Sequence, residues 1–224
     1  MQLAPEEPEA GPWRAEPLGT VIETLSQPGR RRVAARRPVV LAVDGRSNNG
    51  KTTLAARIRE AVPGSAIVHT DDIAWWHSRF GWADLLIDGI LTPASQGEPV
   101  SFRPPRWQDH GRSGCITVPA GCSLLIVEGV GAGRIETSNL IDWLIWVQAD
   151  QGEADQRGLD RVGRPGQAPT ILDTQEWMAE EVPFVAADRA WERADLVACG
   201  SPELAHDPAT QIVVAQPGRQ VPST

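Results

Sequence analysis

One segment constrains this chain more than any other: Gly45-Arg46-Ser47-Asn48-Asn49-Gly50-Lys51-Thr52. Before it runs Val39-Val40-Leu41-Ala42-Val43-Asp44, the continuous apolar pattern of a strand buried on both faces. After it, residues 53–62 have helical spacing and are stopped by Pro63-Gly64. Buried strand, glycine-framed loop and helix in that order open a parallel α/β unit. The pattern Gly-x-x-x-x-Gly-Lys-Thr has a physical logic in that setting. The glycines let the backbone turn several N–H groups inward, and the helix N-terminus adds partial positive charge, so the loop cradles phosphate. Gly45, Ser47, Asn48, Asn49, Gly50 and Lys51 are therefore expected to hold a nucleoside triphosphate. Lys51 would reach the β- and γ-phosphates, and the Thr52 hydroxyl is placed to ligate Mg2+. Asn48 and Asn49 tolerate left-handed backbone angles better than other non-glycine residues.

Composition sharpens the choice of nucleotide. Of 21 basic residues among 224, 20 are arginine and one is lysine, Lys51 itself. A guanine pocket built on Asn-Lys-x-Asp cannot exist without a second lysine, so ATP is the expected ligand. The net charge of −8 argues against a nucleic-acid partner, because phosphate backbones need a basic surface. The exception is Arg30-Arg31-Arg32 with Arg36-Arg37, read as a solvated turn before the first strand. No run of about 18 apolar residues occurs, so no membrane span is expected. The acidic N-terminus lacks a basic stretch followed by an apolar one, so the chain is expected to be cytoplasmic without a signal peptide. Cys115, Cys122 and Cys199 form no C-x-x-C pair and read as thiols rather than a zinc site.

Further apolar runs fall at 65–69, 123–127 and 142–147, with shorter ones at 196–199 and 211–215. Helical patterns lie at 18–26, 82–91, 151–162 and 173–191. The alternation predicts a single α/β domain over residues 18–224, with a mostly parallel five-stranded sheet covered on both faces. Residues 1–17, rich in Pro, Glu and Ala, read as a mobile arm. The loop-rich stretches 92–122 and 163–172 are long enough to be functional. Residues 151–172 form an expected helical lid.

Two strand ends beside the loop carry acids: Asp71 and Asp72 after Thr70, and Glu128 after Val127. Acids at the carboxyl ends of parallel strands face the ligand crevice. One carboxylate there can take the proton of an acceptor hydroxyl and another can hold Mg2+. Arg157, Arg161 and Arg164 recur at spacings of four and three, on one face of a helix, where they can stabilise charge on a moving phosphoryl group. Nine tryptophans, three phenylalanines and no tyrosine form an unusual aromatic set. Trp75, Trp76 and Trp82 follow the Asp71 pair, and flat rings near an acceptor suit stacking on a base or packing on a sugar. His69, His77 and His110 have no metal-ligand spacing.

These residues resemble the uridine kinase-like group of P-loop small-molecule kinases, which includes pantothenate kinase and phosphoribulokinase. The likeness runs from about Val39 to Ala198 through short motifs. Residues 45–53, including Thr53, are similar to the group's Gly-x-Ser-Gly-Ser-Gly-Lys-Thr-Thr. Thr70-Asp71-Asp72 is similar to its second-strand acid, which makes Asp71 the base by position. Ile126-Val127-Glu128-Gly129 resembles its Glu-Gly, with Glu128 beside Mg2+. Trp107, His110 and Arg112 fit the Phe, His and Arg of the uridine kinase acceptor motif Tyr-Asp-Phe-x-x-His-x-Arg, and with Asp72 they are the expected acceptor-side residues. Pro105 and Arg106 replace its Tyr and Asp, which removes an aromatic and a carboxylate from the nucleoside site. Arg157, Arg161 and Arg164 are similar to the lid arginines. The resemblance implies a three-layer P-loop NTPase fold, Mg-ATP dependence and possible homo-oligomers.

The expected activity is transfer of the γ-phosphoryl group of ATP to a hydroxyl of a small molecule. A nucleoside is the first expectation, and a sugar, vitamin precursor or antibiotic the next. A nucleotide-binding regulatory protein with no acceptor is the second class, and a nucleic-acid-directed enzyme using residues 30–37 the third.

Overall fold

A computed structural model of the chain describes residues 1–3, 5–25, 37–162 and 171–217. Nine strands form among them: β1 (Arg14–Pro17), β2 (Val39–Asp44), β3 (Ala66–His69), β4 (Val100–Phe102), β5 (Ile116–Val118), β6 (Leu124–Glu128), β7 (Trp143–Gln148), β8 (Leu196–Cys199) and β9 (Gln211–Ala215). The helices are α1 (Leu18–Leu25), α2 (Lys51–Ala61), α3 (Thr70–Ala74), α4 (Ala83–Leu86), α5 (Thr92–Ser95), α6 (Pro105–Asp109), α7 (Gln151–Leu159) and α8 (Ile171–Asp188). Seven strands build the main sheet in the order β1-β9-β8-β7-β2-β6-β3, and β4 pairs with β5 in a separate antiparallel ladder.

The five strands from β8 to β3 are mutually parallel, as the apolar runs predict. The sheet is nevertheless seven-stranded rather than five-stranded, because β9 and β1 extend one edge in antiparallel fashion. β1 carries no apolar signal in Arg14-Ala15-Glu16-Pro17. Its place comes from backbone pairing with β9, and its charges and Pro17 suit an edge strand.

Successive side chains of the central strands point to opposite faces, which makes two cores. Val40, Ala42, Leu125, Val127, Leu144 and Trp146 face one core, covered by Ile73 of α3, Leu86 of α4 and Val185 of α8. Leu41, Val43, Leu124, Ile126, Ile145 and Val147 face the other, covered by α1 and α2 through Val21, Leu25, Leu54 and Ile58. The result is a three-layer sandwich. Burying a side chain such as Leu41 or Ile58, each 0% exposed, stabilises the fold by about 1.5–3 kcal/mol.

Residues 7–17, within the stretch expected as a mobile arm, pack on the sheet or pair with it. Glu7 is buried and accepts hydrogen bonds from Trp146 Nε1 (2.6 Å) and Gln148 Nε2 (2.9 Å), and Gln148 Oε1 accepts from the Ala10 N–H (2.9 Å). Their Pro- and Glu-rich composition concealed this, because the contacts are polar and more than 130 residues distant. The expected helix over 82–91 divides into α4 and a π-helical turn, Ile87–Leu91, before α5. There Gly89 packs so closely on the Phe102 ring that a Cβ would lie 2.6 Å from it. Of the basic run, Arg37 forms a bidentate pair with the buried Asp142 at 2.7 and 2.8 Å, and residues 30–36 lie outside the described residues.

Candidate active site

Strand β2 delivers the loop to the carboxyl edge of the sheet. Gly45 has φ 145°, and a Cβ there would lie 2.5 Å from the Val147 carbonyl, so β7 admits only glycine. Asn48 takes the left-handed angle, φ 62°, while Asn49 is buried and donates from Nδ2 to the Val147 carbonyl (2.9 Å). Lys51 starts α2, is 7% exposed, and donates from Nζ to the Arg46 carbonyl (2.9 Å). Lys51 thus curls back over its own loop, where a bound phosphate would lie.

Asp44, the last residue of β2, was not among the expected site residues. Its carboxylate accepts from the N–H groups of Gly45 (2.7 Å), Gly131 (2.9 Å) and Gly133 (2.8 Å), which ties the loop to the turn after β6. Burial pushes its pKa up to about 6, against the opposing pull of those amides and of Lys51.

The acids stand where the strand ends predict. β3 and β6 pair with His69 opposite Glu128. Thr52 Oγ1 donates to Glu128 Oε1 (3.0 Å), and His69 Nδ1 donates to Glu128 Oε2 (2.6 Å). Burial is the largest influence on Glu128 and opposes its ionisation. The His69 hydrogen bond, Lys51 and Thr52 together outweigh it and hold the carboxyl below its usual range. The same hydrogen bond to Glu128 raises the His69 pKa. Asp71, the second residue of α3, opens to the cavity in front of Lys51 yet is crowded by protein on its other sides. That desolvation raises its pKa, and Lys51 pulls the other way. Gly129 lets the chain leave β6 against Thr70: at its φ of 142° a Cβ would lie 1.8 Å from the Thr70 hydroxyl.

The donors near the loop fit Mg2+, which is small, prefers oxygen, and takes one or two protein ligands with phosphate and water completing its shell. Thr52 and Glu128 supply two adjacent oxygens, and no cluster of three or more His, Cys, Asp or Glu ligands occurs among the described residues.

α7 and the turn that follows it bring two of the three expected arginines onto the loop. Arg157 donates to the Asn48 carbonyl (2.7 Å) and to Ser201 Oγ (2.5 Å), and Arg161 donates to Asn48 Oδ1 (3.2 Å). Arg164 lies outside the described residues, as does part of the expected lid, 163–170. A cavity of about 490 Å³ opens between Thr53, Arg57, Arg157 and the turn after β8 at Gly200 and Ser201.

A second cavity, of about 510 Å³, is lined by Ser47, Lys51, Thr52 and Asp71 together with the rings of Trp75, Trp76 and Trp177. Trp75 and Trp76 are the exposed tryptophans among the described residues, at 42% and 41%. Trp76 has φ 61°, an uncommon angle for so bulky a side chain. Its ring stacks on His110 at 4.6 Å. Asp72, Trp107, His110 and Arg112, expected on the acceptor side, do not line this cavity. Trp107 is 4% exposed and donates from Nε1 to the Asp72 carbonyl (2.8 Å). Arg112 lies 3.6 Å from the Trp107 ring centre and pairs with the Asp72 carboxylate at 2.6 Å. The four therefore back α3 and the Trp75-Trp76 wall from behind.

α8 contributes residues that no motif marked. Glu181, 0% exposed, accepts from the Ser47 N–H (3.0 Å), from the Ser47 hydroxyl and from Trp177 Nε1 (2.7 Å). Arg46 Nε, buried, has Glu181 Oε1 as its ionic partner at 3.4 Å, and its Nη1 donates to the Gln151 side chain. This helix thus grips the first half of the phosphate loop through one carboxylate.

No protein-family model matches the chain, and no curated protein matches it. Among solved structures it is similar to a possible uridine kinase from Bacillus stearothermophilus, with a TM-score of 0.53 and 17% identity over 80% of this chain and 95% of that one. It is more loosely similar to TT1252 from Thermus thermophilus, with a TM-score of 0.42 and 16% identity over 75% and 91%. At 17% identity the first likeness shows the fold, and the chain has a P-loop kinase-like fold. No helix of the described residues is long and apolar enough to cross a membrane.

Proposed function

We propose that the protein is an ATP-dependent kinase that phosphorylates a hydroxyl group of a small molecule. The observation that carries this reading is the cavity of about 510 Å³, lined at once by Lys51 and Thr52 of the phosphate loop and by Asp71. A regulatory nucleotide binder needs no open space in front of the γ-phosphate, whereas a kinase needs room there for an acceptor beside a base. The nucleotide base takes the neighbouring cavity at Thr53, Arg57 and Ser201.

In the reaction the acceptor oxygen attacks the γ-phosphorus, the bond from that phosphorus to the β–γ bridging oxygen breaks, and ADP leaves. The hydroxyl proton passes to the Asp71 carboxylate, whose raised pKa makes it the better base. Lys51 and Arg161 face the charge that spreads over the phosphates. Mg2+, held by Thr52 and Glu128, would neutralise charge on the β- and γ-oxygens when bound. A nucleoside is the first acceptor to try, with sugars and other alcohols beside it.

The test is acceptor-dependent ADP release with a panel of nucleosides and sugars, in the parent protein and in Asp71→Asn. The variant should lose about 10²–10⁴-fold in turnover, the usual contribution of a general base, while binding ATP within about threefold of the parent. Undiminished turnover in Asp71→Asn removes Asp71 from the mechanism.

A further inference from the structure

The acceptor cavity has a charge pattern as well as a shape. Of the cations that line it, Arg46 is paired with Glu181, and Arg79 with Glu176 and Glu180 on α8. Lys51 and Arg161 bond to the phosphate loop itself, through the Arg46 carbonyl and the Asn48 side chain. The phosphoryl end therefore uses the remaining positive charge. Beside Glu128, which faces the metal-binding end, and Glu181, which holds Arg46, three further carboxylates, Asp71, Asp155 and Asp173, line the same cavity, and Asp155 accepts from the neutral amide of Gln151 at 2.6 Å. Among the described residues, an acceptor that brought its own carboxylate or phosphate would meet acids on the Asp155 and Asp173 side, with Lys51 and Arg161 engaged at the phosphoryl end.

The walls add an independent preference. The rings of Trp75 and Trp76 lie 5.5 Å apart at 52°, two sides of an aromatic corner, and Trp177 lines the cavity from α8. The cation behind the corner, Arg112, is 5.6 Å from the Trp75 ring and already paired with Asp72. Indole faces attract cations through their ring quadrupole, and most strongly where water is excluded. Aromatic faces combined with carboxylates are the chemistry that selects an ammonium group over a neutral isostere.

We propose that the acceptor is an amino alcohol: its hydroxyl meets Asp71, and its protonated amine lies between the Trp75, Trp76 and Trp177 rings and the carboxylates of Asp155 and Asp173. This rests on the kinase reading and narrows it to a substrate class. The bonds made and broken are those of the transfer described above, with the amine as a binding handle that does not react.

The test pairs each acceptor with its charge-free counterpart. ADP release is measured with ethanolamine, choline and an aminocyclitol, with the N-acetylated forms of the two primary amines, with neutral nucleosides, and with alcohols bearing a carboxylate or phosphate. The expected result is a kcat/KM at least about tenfold higher for a primary amine than for its N-acetyl form, the combined pull of cation–aromatic contacts at partly exposed rings and of the carboxylates. The Asp155→Asn/Asp173→Asn double variant should compress that ratio to about threefold or less. Calorimetric titration of the same compounds into the ADP-bound protein reads the amine site separately from transfer. Faster transfer to neutral or anionic alcohols than to amines overturns this proposal and leaves the kinase reading standing. Amine binding without any acceptor-stimulated ADP release keeps the site and overturns the kinase reading. Neither binding nor transfer of any amine overturns the proposal outright.

Discussion

Glu181 offers the most quantitative test of how the phosphate loop is held. Both carboxylate oxygens act as acceptors: Oε1 toward the Ser47 N–H and the Arg46 guanidinium, Oε2 toward Trp177 Nε1 and the Ser47 hydroxyl. The Arg46 side chain is only 6% exposed, so water cannot replace the lost charge. Glu181→Ala leaves that guanidinium buried without its ionic partner, a change that costs about 3–5 kcal/mol. For a domain of this size, each kcal/mol moves Tm by roughly 2–4 °C, which places the expected drop at about 6–20 °C. Glu181→Gln is milder, because the Ser47 hydroxyl can rotate to accept from the new amide while the other oxygen still serves the Ser47 N–H. Arg46 then loses its ionic partner and Trp177 Nε1 loses its acceptor at Oε2 and keeps the Ser47 hydroxyl, at about 1.5–3 kcal/mol, the range for hydrogen bonds to a charged group. Thermal and urea unfolding of both variants, with ATP affinity measured alongside, checks the order Ala worse than Gln worse than parent. If Glu181→Ala melts within about 2 °C of the parent, α8 does not hold the loop through this carboxylate.

Other expectations follow from single contacts. Asp44 titrates near 3.8 in an unfolded chain and at about 6 in the fold, so the folded state binds its proton more tightly. The resulting stabilisation is present in full below the lower value and is lost as pH rises through the upper one, by about 3 kcal/mol in all. Urea unfolding from pH 4 to 7 should show that slope, and Asp44→Asn should flatten it. Gly129→Ala forces a Cβ to 1.8 Å from the Thr70 hydroxyl at an unfavourable φ and should destabilise by about 3 kcal/mol or more, with Thr70→Ala restoring part of the loss. Arg157→Ala removes the donors to the Asn48 carbonyl and Ser201, so calorimetry should find ATP bound about tenfold or more weakly, with little change in Tm.

The parts of the fold legible in the sequence were those whose physics is local. β2, β6 and β7 are buried on both faces, so their apolar runs were unmistakable, and the strand-end rule located Asp71 and Glu128. β1 was invisible because its partner is β9, almost 200 residues away, and its own side chains carry no period. Glu181 sits beside Glu180 in the sequence with nothing to separate them. Helix periodicity alone turns one into the loop and the other out to Arg79. The spacing of the motif expected on the acceptor side places Trp107 and Arg112 beside α3, but the stacking of Arg112 on Trp107 and its pairing with Asp72 turn both away from the cavity. The cavity wall went instead to Trp75 and Trp76, whose orientation depends on a left-handed turn at 76 that no residue type announces.

The central claim is that a phosphoryl group passes from ATP to an alcohol held beside Asp71. Phosphorus NMR of a reaction containing Mg-ATP and the acceptor panel tests it most directly, because it distinguishes a new ester from free phosphate. The parent protein should produce a phosphate ester with one class of acceptor, in equal amount to the ADP formed, and Asp71→Asn should produce it at least about 10²-fold more slowly. Inorganic phosphate alone, formed at the same rate by both proteins and unaffected by any alcohol, would contradict the account.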